Sequence, residues 1–362
     1  MIPQLLSVLA SLSLLLYQPP AAPAGCRELV CAYSPDNPFF ARDEVVELTL
    51  DLPLDAVLND RGATTGLHSA VLSYRDATAG PKTLSVQVKV RGNRRKDPTV
   101  CGFPPLLVKF PPEATTSHIF GPVGELKLIT HCLSDTYTLR EYLVYKLYNT
   151  LTDISFRTRL CLITYRDSRG RRSAMVHYAF FLENADALAR RNQATEVPKR
   201  LFIGMENMNQ TAMATMAVFQ YMIGNTDWSV PYRHNIRLLT QNVQNPPVPV
   251  PYDFDYSGLV MAPYAVPPEQ LGITSVRQRL FRGYDFPPQT YALVRDLFNS
   301  RRAAMYNVYL ACPYLSLEEK EFATRYLDGF FKTLNDPKDF ERHIVRAGLL
   351  NQRKYTNVRG FD

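Results

Sequence analysis

Alternation of apolar and polar residues predicts several β-strands in the first half of the chain. Residues at every second position of a strand share one face, so this alternation is typical of strands with one buried face. The ranges that show it are 44–52, 70–74, 84–90, 106–110, 125–129, 158–165 and 174–182. One helix interrupts them, because Ser134 suits a helix N-cap and apolar residues then recur at helical spacing from Leu139 to Leu151.

The second half of the chain has a mainly helical pattern. Residues 211–223 are almost wholly apolar, which predicts a buried helix, and helical spacing returns later in the chain. The later ranges are 290–310, 317–334 and 337–347. Two short strand-like stretches around a proline-rich loop lie between. The two halves predict an α+β fold, with a strand-rich region over 25–183 and a helical region over 184–362.

The N-terminus has the pattern of an export signal. The run from Leu5 to Tyr17 is apolar but too short to span a bilayer, and Ala22-Pro23-Ala24 offers a cleavage site of the A-x-A type. The run lacks the basic residues that usually precede it. The apolar run and the cleavage site nevertheless predict a signal peptide over 1–24. We expect a protein exported to the periplasm or the cell surface. The alternative is a lipoprotein tethered to a membrane through Cys26.

Six cysteines remain after this cleavage, and an even number permits disulfides in an exported chain. The sequence does not decide the pairing. Cys26 and Cys31 are close enough along the chain to pair with each other. Cys161 lies inside an apolar strand pattern, which predicts a buried free thiol.

Composition narrows the class of protein. The chain has 362 residues, and 41 Lys and Arg against 34 Asp and Glu give a net charge of +7. A hydrophobic share of 46% excludes wholesale disorder. The basic run from Arg91 to Lys96 follows a strand, and it fits either an anionic substrate or a solvated turn. A second run, Arg169 to Arg172, lies on a predicted turn. Neither run has interleaved aromatic residues, so no nucleic-acid partner is predicted.

Acidic and amide side chains cluster just outside apolar segments of the second half. Asp227 follows the apolar helix, Asn235 opens the next strand-like stretch, and Asp253 and Asp255 follow the one after. Such residues are held by the core yet can reach a cleft. Phosphoryl transfer needs a carboxylate that orients the attacking hydroxyl and hard oxygen ligands for Mg²⁺. Ordinary turn and cap chemistry is the alternative explanation.

A family resemblance adds to this pattern. The segments 225–228, 234–235 and 251–258 resemble the CotH-like branch of the protein-kinase-like superfamily, and the same pattern is similar to the catalytic loop of HipA-type kinases. The upstream segments 90–93, 101–106 and 126–132 resemble exported bacterial proteins of that group. The resemblance extends from about Glu44 to about Gly283. It implies a bilobed protein-kinase-like fold with a strand-rich N-terminal lobe and a mainly helical C-terminal lobe.

The resemblance also implies roles for individual acidic residues. Asp227 would be the catalytic aspartate that orients the attacking hydroxyl or accepts its proton. Asn235 and Asp253 would hold Mg²⁺ on the phosphates of ATP, and Asp255 would assist. Two departures stand out: Asn235 follows Asp227 by eight residues instead of five, and Asp255 takes the place of a glycine. No G-x-G-x-x-G motif is present.

In the first half, the resemblance implies that Lys127 contacts the nucleotide phosphates and that Glu141, on the following helix, pairs with it. Lys109 is the alternative lysine. Glu183, at the end of the last strand, would belong to the hinge that contacts adenine.

The function expected from these features is that of an atypical kinase, which transfers the γ-phosphoryl group of ATP with Mg²⁺ to a hydroxyl of a protein or a small molecule. The alternative is a non-catalytic envelope or surface protein that keeps the fold for binding. A third hypothesis is transfer of AMP on the same fold.

Overall fold

The structure is a computed structural model that describes residues 37–76, 80–111 and 118–353, and seven strands of its first half form a closed barrel. The strands are β1 (Val46–Leu52), β2 (His68–Asp76), β3 (Gly80–Val90), β4 (Leu106–Lys109), β5 (Glu125–Ile129), β6 (Thr158–Asp167) and β7 (Met175–Leu182). Their spatial order is β1-β2-β3-β4-β5-β7-β6. Parallel pairing of β6 with β1 closes the barrel, and all other neighbours are antiparallel.

The alternating pattern of the strands fills the barrel interior. Leu48, Leu50 and Leu52 of β1 point inward and are almost fully buried. Residues of the opposite parity point outward, as every second residue of a strand must. On β7, Phe181 lies in the barrel core, whereas Phe180 packs outside it. The predicted strands of the first half are therefore confirmed in their alternation.

A second hydrophobic core lies against the outer face of β5, β6 and β7. The helix that joins β5 to β6, α2 (Asp135–Asn149), packs there, while the short α1 (Leu54–Asn59) follows β1. Ser134 caps α2, and its hydroxyl accepts a hydrogen bond from the backbone N–H of Thr136. The predicted cap and helix are confirmed.

The remaining elements continue this second core. The helices are α3 (Ala185–Arg191), α4 (Gln210–Ile223), α5 (Pro288–Leu310), α6 (Leu317–Asn335), α7 (Pro337–Phe340) and α8 (Arg346–Arg353), and a small antiparallel sheet is formed by β8 (Thr195–Glu196), β9 (Ile236–Thr240) and β10 (Val248–Pro251). The helix α4 is buried on nearly all sides, as predicted from its sequence. Asn209 caps its start, and Gly224 ends it in the left-handed conformation.

The prediction of a mixed α and β fold is confirmed, with strands in the first half and mainly helices in the second. The first-half strands close into a barrel, which the expected bilobed protein-kinase-like fold with a strand-rich N-terminal lobe did not specify. The predicted boundary after Glu183 falls between β7 and α3, and the division into two lobes there stays a prediction. The expected signal peptide and Cys26 and Cys31 lie outside the described residues.

One disulfide joins Cys101 to Cys132, with a Cα–Cα distance of 4.8 Å. It ties the loop before β4 to the segment that enters α2. Cys161 is buried and free, as predicted, and Cys312 is also buried and free. Within residues 37–353, apart from the two undescribed gaps, no helix is both long and apolar enough to cross a bilayer.

Candidate active site

The loop after α4 holds Asp227 in a buried position, and hydrogen bonds fix the orientation of its carboxylate. The side chain of Asp227 is 7% exposed. Its Oδ1 lies 2.7 Å from His234 Nε2, and its Oδ2 accepts a hydrogen bond of 3.0 Å from Asn235 Nδ2. Its backbone N–H donates to Asn225 Oδ1, also at 3.0 Å. Asp227 is thus a carboxylate whose orientation is set from several sides.

A tight hairpin explains the long spacing between Asp227 and Asn235. Ser229 and His234 exchange two backbone hydrogen bonds of 3.0 Å, so the chain doubles back over the residues between them. Asn235 adopts a left-handed conformation with φ of 52°, and its amide nitrogen donates to both the carbonyl and the carboxylate of Asp227. The extra residues therefore do not separate the two side chains. Because the amide nitrogen of Asn235 is used in these hydrogen bonds, its amide oxygen is the side-chain atom that could bind a cation.

Three carboxylates surround one buried guanidinium, that of Arg95. Its Nη1 lies 3.2 Å from Glu141 Oε2, its Nη2 lies 2.7 Å from Asp253 Oδ1, and its Nε lies 3.2 Å from Asp255 Oδ2. Arg95 comes from the short 3₁₀ turn Arg94–Lys96, Glu141 from α2, and the two aspartates from the segment after β10. Three distant parts of the chain therefore meet at one cation.

The carboxylates of this cluster differ in pKa. Burial raises the pKa of Asp255 well above its usual range; the nearby charges of Asp253, Glu141 and Asp227 add to this, and Arg95 opposes it. Burial likewise raises the pKa of Glu141 to about 7 against the opposing effect of Arg95. At Asp253 burial acts in the same direction, but Arg95, Arg91 and Lys127 outweigh it and lower the pKa. Asp253 is thus the member of the cluster that stays most firmly ionised.

Tyrosine hydroxyls fix the aspartates further. The hydroxyl of Tyr264 donates to Asp255 Oδ2 at 3.0 Å, and the hydroxyl of Tyr145 on α2 accepts from the backbone N–H of Asp253 at 2.8 Å. Asp253 itself has a left-handed backbone, with φ of 63°. An aspartate tolerates this conformation better than most residues do. The segment is therefore held in one conformation by a contact from α2 and by a contact from Tyr264, which lies later in the chain.

Lys127 lies on the outer face of β5 beside this segment. It aligns with Leu182 of β7, and its Nζ lies 5.2 Å from the centre of the Tyr252 ring. Among the described residues, no carboxylate forms an ion pair with it. Burial lowers its pKa to about 8, and the nearby cations Arg91, Arg237 and Lys199 lower it further, whereas Asp253 acts in the opposite direction.

The charges around Lys127 suit an anion. Arg237 is also placed over Tyr252, with its guanidinium 5.4 Å from the ring centre, and it pairs with Glu196 at 2.8 Å. The pKa of Arg91 is lowered by burial, against the charge of Asp253. These cations repel one another at short range, which is unfavourable unless an anion joins them. The arrangement can accept a phosphate group beside Asp253.

Two expectations about the first half need correction. Glu141 does not pair with Lys127; it pairs with Arg95, which reaches it from the 3₁₀ turn. Lys109, the alternative lysine, is exposed on β4 and lies opposite Glu125 in the sheet. Of the two lysines, Lys127 is therefore the one placed beside Asp253.

The carboxylate and the backbone N–H of Glu183, which was expected to contact adenine, both bind other residues of the protein. Its carboxylate forms an ion pair with Arg191, with Nε–Oε1 of 2.9 Å, and accepts from the backbone N–H of Arg157 at 3.1 Å. Its own N–H donates to the carbonyl of Arg157 at 3.0 Å. The side chain is 3% exposed. Glu183 thus has a structural role at the end of β7, and its contact with adenine stays a prediction.

Sequence reasoning missed Arg95 as a site residue. It belongs to the basic run Arg91 to Lys96, for which a solvated turn was one explanation, but Arg95 is only 7% exposed. The signal available was its position directly after a strand that belongs to the family resemblance. Nothing in the local sequence indicates which member of the run is buried.

Two of the predicted site residues have the donor atoms that a hard divalent cation prefers. Asn235 and Asp253 supply the amide and carboxylate oxygens that Mg²⁺ prefers, and Mg²⁺ commonly keeps several waters and substrate oxygens as its other ligands. Across the described residues, no group of three or more His, Cys, Asp or Glu side chains is arranged to hold a metal. A cation here would therefore need ligands from its substrate and from water.

Comparison with known proteins finds a distant structural similarity and no sequence match. No family model and no curated protein matches the chain. Among solved structures it is similar to the proinflammatory kinase CtkA of Helicobacter pylori, with a TM-score of 0.34 and 13% sequence identity over 82% of this chain and 94% of that chain. Similarity at this level does not establish a shared fold or activity.

Proposed function

We propose that the protein is an atypical kinase of the CotH-like kind, which transfers the γ-phosphoryl group of ATP to a hydroxyl of a protein or a small molecule. The observation that carries the proposal is the position of Lys127. Its ammonium has no ion-pair partner among the described side chains, stands next to other cations, and lies beside the ionised Asp253. Clustered cations attract the negative charge of a phosphate chain, and the neighbouring carboxylate of Asp253 could bind Mg²⁺. Together they form a site suited to a phosphate chain that carries a metal ion.

The acidic and amide residues would orient the acceptor hydroxyl and bind the metal ion. Asp227, held by His234 and Asn235, would orient the hydroxyl of the acceptor and take its proton. Asn235 and Asp253 would bind Mg²⁺, which neutralises charge on the phosphates when it is bound. The backbone N–H of Tyr252 donates to the carbonyl of Asn235 at 3.0 Å. The two proposed ligands therefore come from directly bonded segments.

The rival function is a non-catalytic binding protein of the cell envelope. The observation that favours it is Arg95, which already neutralises part of the acidic cluster without a metal. The proposals of export, and of a lipid tether at Cys26, belong to this rival and to the kinase alike. The kinase has a nucleotide as a partner, and neither function involves nucleic acid.

One set of assays distinguishes these functions. The purified chain is titrated with ATP, with and without Mg²⁺, while fluorescence of the buried Trp228, next to Asp227, is recorded. Transfer is then followed with ATP labelled in the γ-phosphate. We expect Asp227→Asn to keep ATP binding and lose roughly 10²- to 10⁴-fold in transfer rate. Asp253→Asn should lose the effect of Mg²⁺ on binding, and Asp328→Asn, on the exposed face of α6, is the matched control.

Each other result has a defined meaning. If ATP does not bind under any metal condition, the nucleotide site is refuted. Binding of ATP without transfer by the unmodified chain supports the non-catalytic rival. Undiminished transfer by Asp227→Asn would contradict the role given to that carboxylate. Label that is incorporated from the α-phosphate and not from the γ-phosphate would indicate AMP transfer.

A further inference from the structure

The guanidinium of Arg95 occupies the centre of the acidic cluster with a different nitrogen for each carboxylate. Nη1, Nη2 and Nε contact Glu141, Asp253 and Asp255 at 3.2, 2.7 and 3.2 Å. An arginine offers this planar fork of donors, whereas a lysine offers a single ammonium. The contacts span sequence separations of 46 residues to Glu141 and 158 residues to Asp253. The tertiary fold, not the local chain, therefore places the cation there.

We propose that Arg95 takes the place of a second divalent cation, so that the site binds a single Mg²⁺, at Asn235 and Asp253. In this arrangement Glu141 and Asp255 bind Arg95 and are not metal ligands. The inference rests on the proposed function, and it replaces the metal-binding role expected of Asp255 with that of a positioning residue for Arg95.

Accessibility separates Asp253 from the other two carboxylates. The side chains of Glu141 and Asp255 are 3% and 8% exposed, whereas that of Asp253 is 32% exposed. A cation that arrives from solvent with its waters can reach Asp253 but meets the others only behind Arg95. Asp253 uses Oδ1 for Arg95, and of the three carboxylates it is the one that would bind Mg²⁺.

Asp255 is already committed to protein donors. Its Oδ2 contacts Arg95 Nε and accepts from the hydroxyl of Tyr264. A divalent cation at this oxygen would have to displace both. Kinase sites that bind two metals use an aspartate and an asparagine for them and have a glycine two positions after the aspartate. Here Asp255 occupies the glycine position, and its carboxyl oxygen Oδ2 lies 3.2 Å from Nε of Arg95.

Counting bound metal tests the inference directly. Mn²⁺ serves as the probe, because it accepts the same oxygen ligands as Mg²⁺ and is visible by electron paramagnetic resonance. The full chain is titrated with Mn²⁺ in the presence of a saturating, non-cleavable ATP analogue. We expect one Mn²⁺ per chain, and we expect Asp255→Asn to keep that one. Arg95→Met, which removes the charge but keeps an extended side chain, should gain a second Mn²⁺ that is lost again in the double variant Arg95→Met/Asp255→Asn.

The outcomes that overturn the inference differ from those that overturn the function. Two Mn²⁺ bound to the unmodified chain, or loss of the single Mn²⁺ in Asp255→Asn, would refute the place given to Arg95 while leaving a kinase function standing. Failure of the analogue to bind would refute the proposed function and this inference with it. If Arg95→Met does not fold, the metal counts of the unmodified chain and of Asp255→Asn still decide the question.

Discussion

Replacement of Lys127 by methionine should weaken nucleotide binding and stabilise the ligand-free protein. Methionine keeps most of the apolar side chain against Tyr252 and removes only the charge. The ammonium lies near three other cations and has a pKa of about 8, compared with 10.5 for a free lysine. Keeping this group charged therefore costs the native state stability, as is common for cations at functional sites.

The gain in stability follows from that pKa. A shift from 10.5 to about 8 corresponds to about 3 kcal/mol at neutral pH, at 1.36 kcal/mol per unit. Because Lys127 is only partly buried, solvent screening reduces this to about 1–2 kcal/mol. The folded protein binds fewer protons than the unfolded chain between pH 8 and 10.5, so this penalty is present below pH 8 and fades as the pH rises through that window.

The loss in binding follows from the contact that the ammonium would make. A hydrogen bond to a charged group contributes about 1.5–3 kcal/mol, so the dissociation constant for ATP should rise roughly 10- to 100-fold. The affinity of the unmodified chain should also fall above pH 8, by up to about tenfold per pH unit, as Lys127 loses its proton. The affinity of Lys127→Met should not show this decrease.

Two assays and one control check the reasoning. Urea unfolding at pH 7 and pH 10 gives the free energy of unfolding, and an ATP titration across pH 6–10 gives the dissociation constant. Lys109→Met, which removes a lysine from the exposed position opposite Glu125, should change neither quantity. If Lys127→Met destabilises the protein at pH 7, or binds ATP as tightly as the unmodified chain, the account of Lys127 as an anion-binding cation is wrong.

The remaining predictions concern stability. Cys101→Ser should cost roughly 3–4 kcal/mol in the free energy of urea unfolding, because the disulfide to Cys132 closes a loop of 31 residues; no change on adding reductant to the unmodified chain would contradict this. Arg191→Met should cost about 3–5 kcal/mol by leaving Glu183 buried without its partner, and the double variant Arg191→Met/Glu183→Leu should recover most of it. Burial and the stacked His177 lower the pKa of His131 to about 3, so this histidine should contribute a loss of about 1.4 kcal/mol per pH unit from pH 6 to pH 4. In unfolding experiments His131→Phe should reduce the slope of the unmodified chain by that amount.

The sequence was sufficient for features that depend on local chemistry. The alternation of β1 and the cap at Ser134 could be predicted because each depends on residues within a few positions of one another. The same holds for α4, whose apolar run ends at Gly224. The sequence also brought attention to Asp227, Asn235 and Asp253, because polar residues directly after apolar segments are few.

Closure of the barrel could not be predicted from local sequence patterns. An alternating strand has the same pattern in an open sheet and in a closed one, and the parallel pairing of β1 with β6 joins residues more than a hundred positions apart. The ion-pair partner of Glu141 could not be predicted either, because it is also distant in the sequence. A template of a lysine–glutamate pair pointed to Lys127, but the order of residues along the chain contains no information on whether Lys127 or Arg95 reaches α2 in three dimensions.

The position of Arg95 links the fold to the chemistry proposed for it. The 3₁₀ turn that bears Arg95 is followed within a few residues by Cys101, whose disulfide to Cys132 holds that loop to the entrance of α2, the helix of Glu141. The covalent bond and the ion pair therefore fasten the same two segments at nearby points. Because Arg95 also holds Asp253, a displacement of this loop would move the carboxylate proposed to bind Mg²⁺. A protein in which the disulfide is reduced should accordingly bind ATP with Mg²⁺ more weakly, even at a temperature where it remains folded.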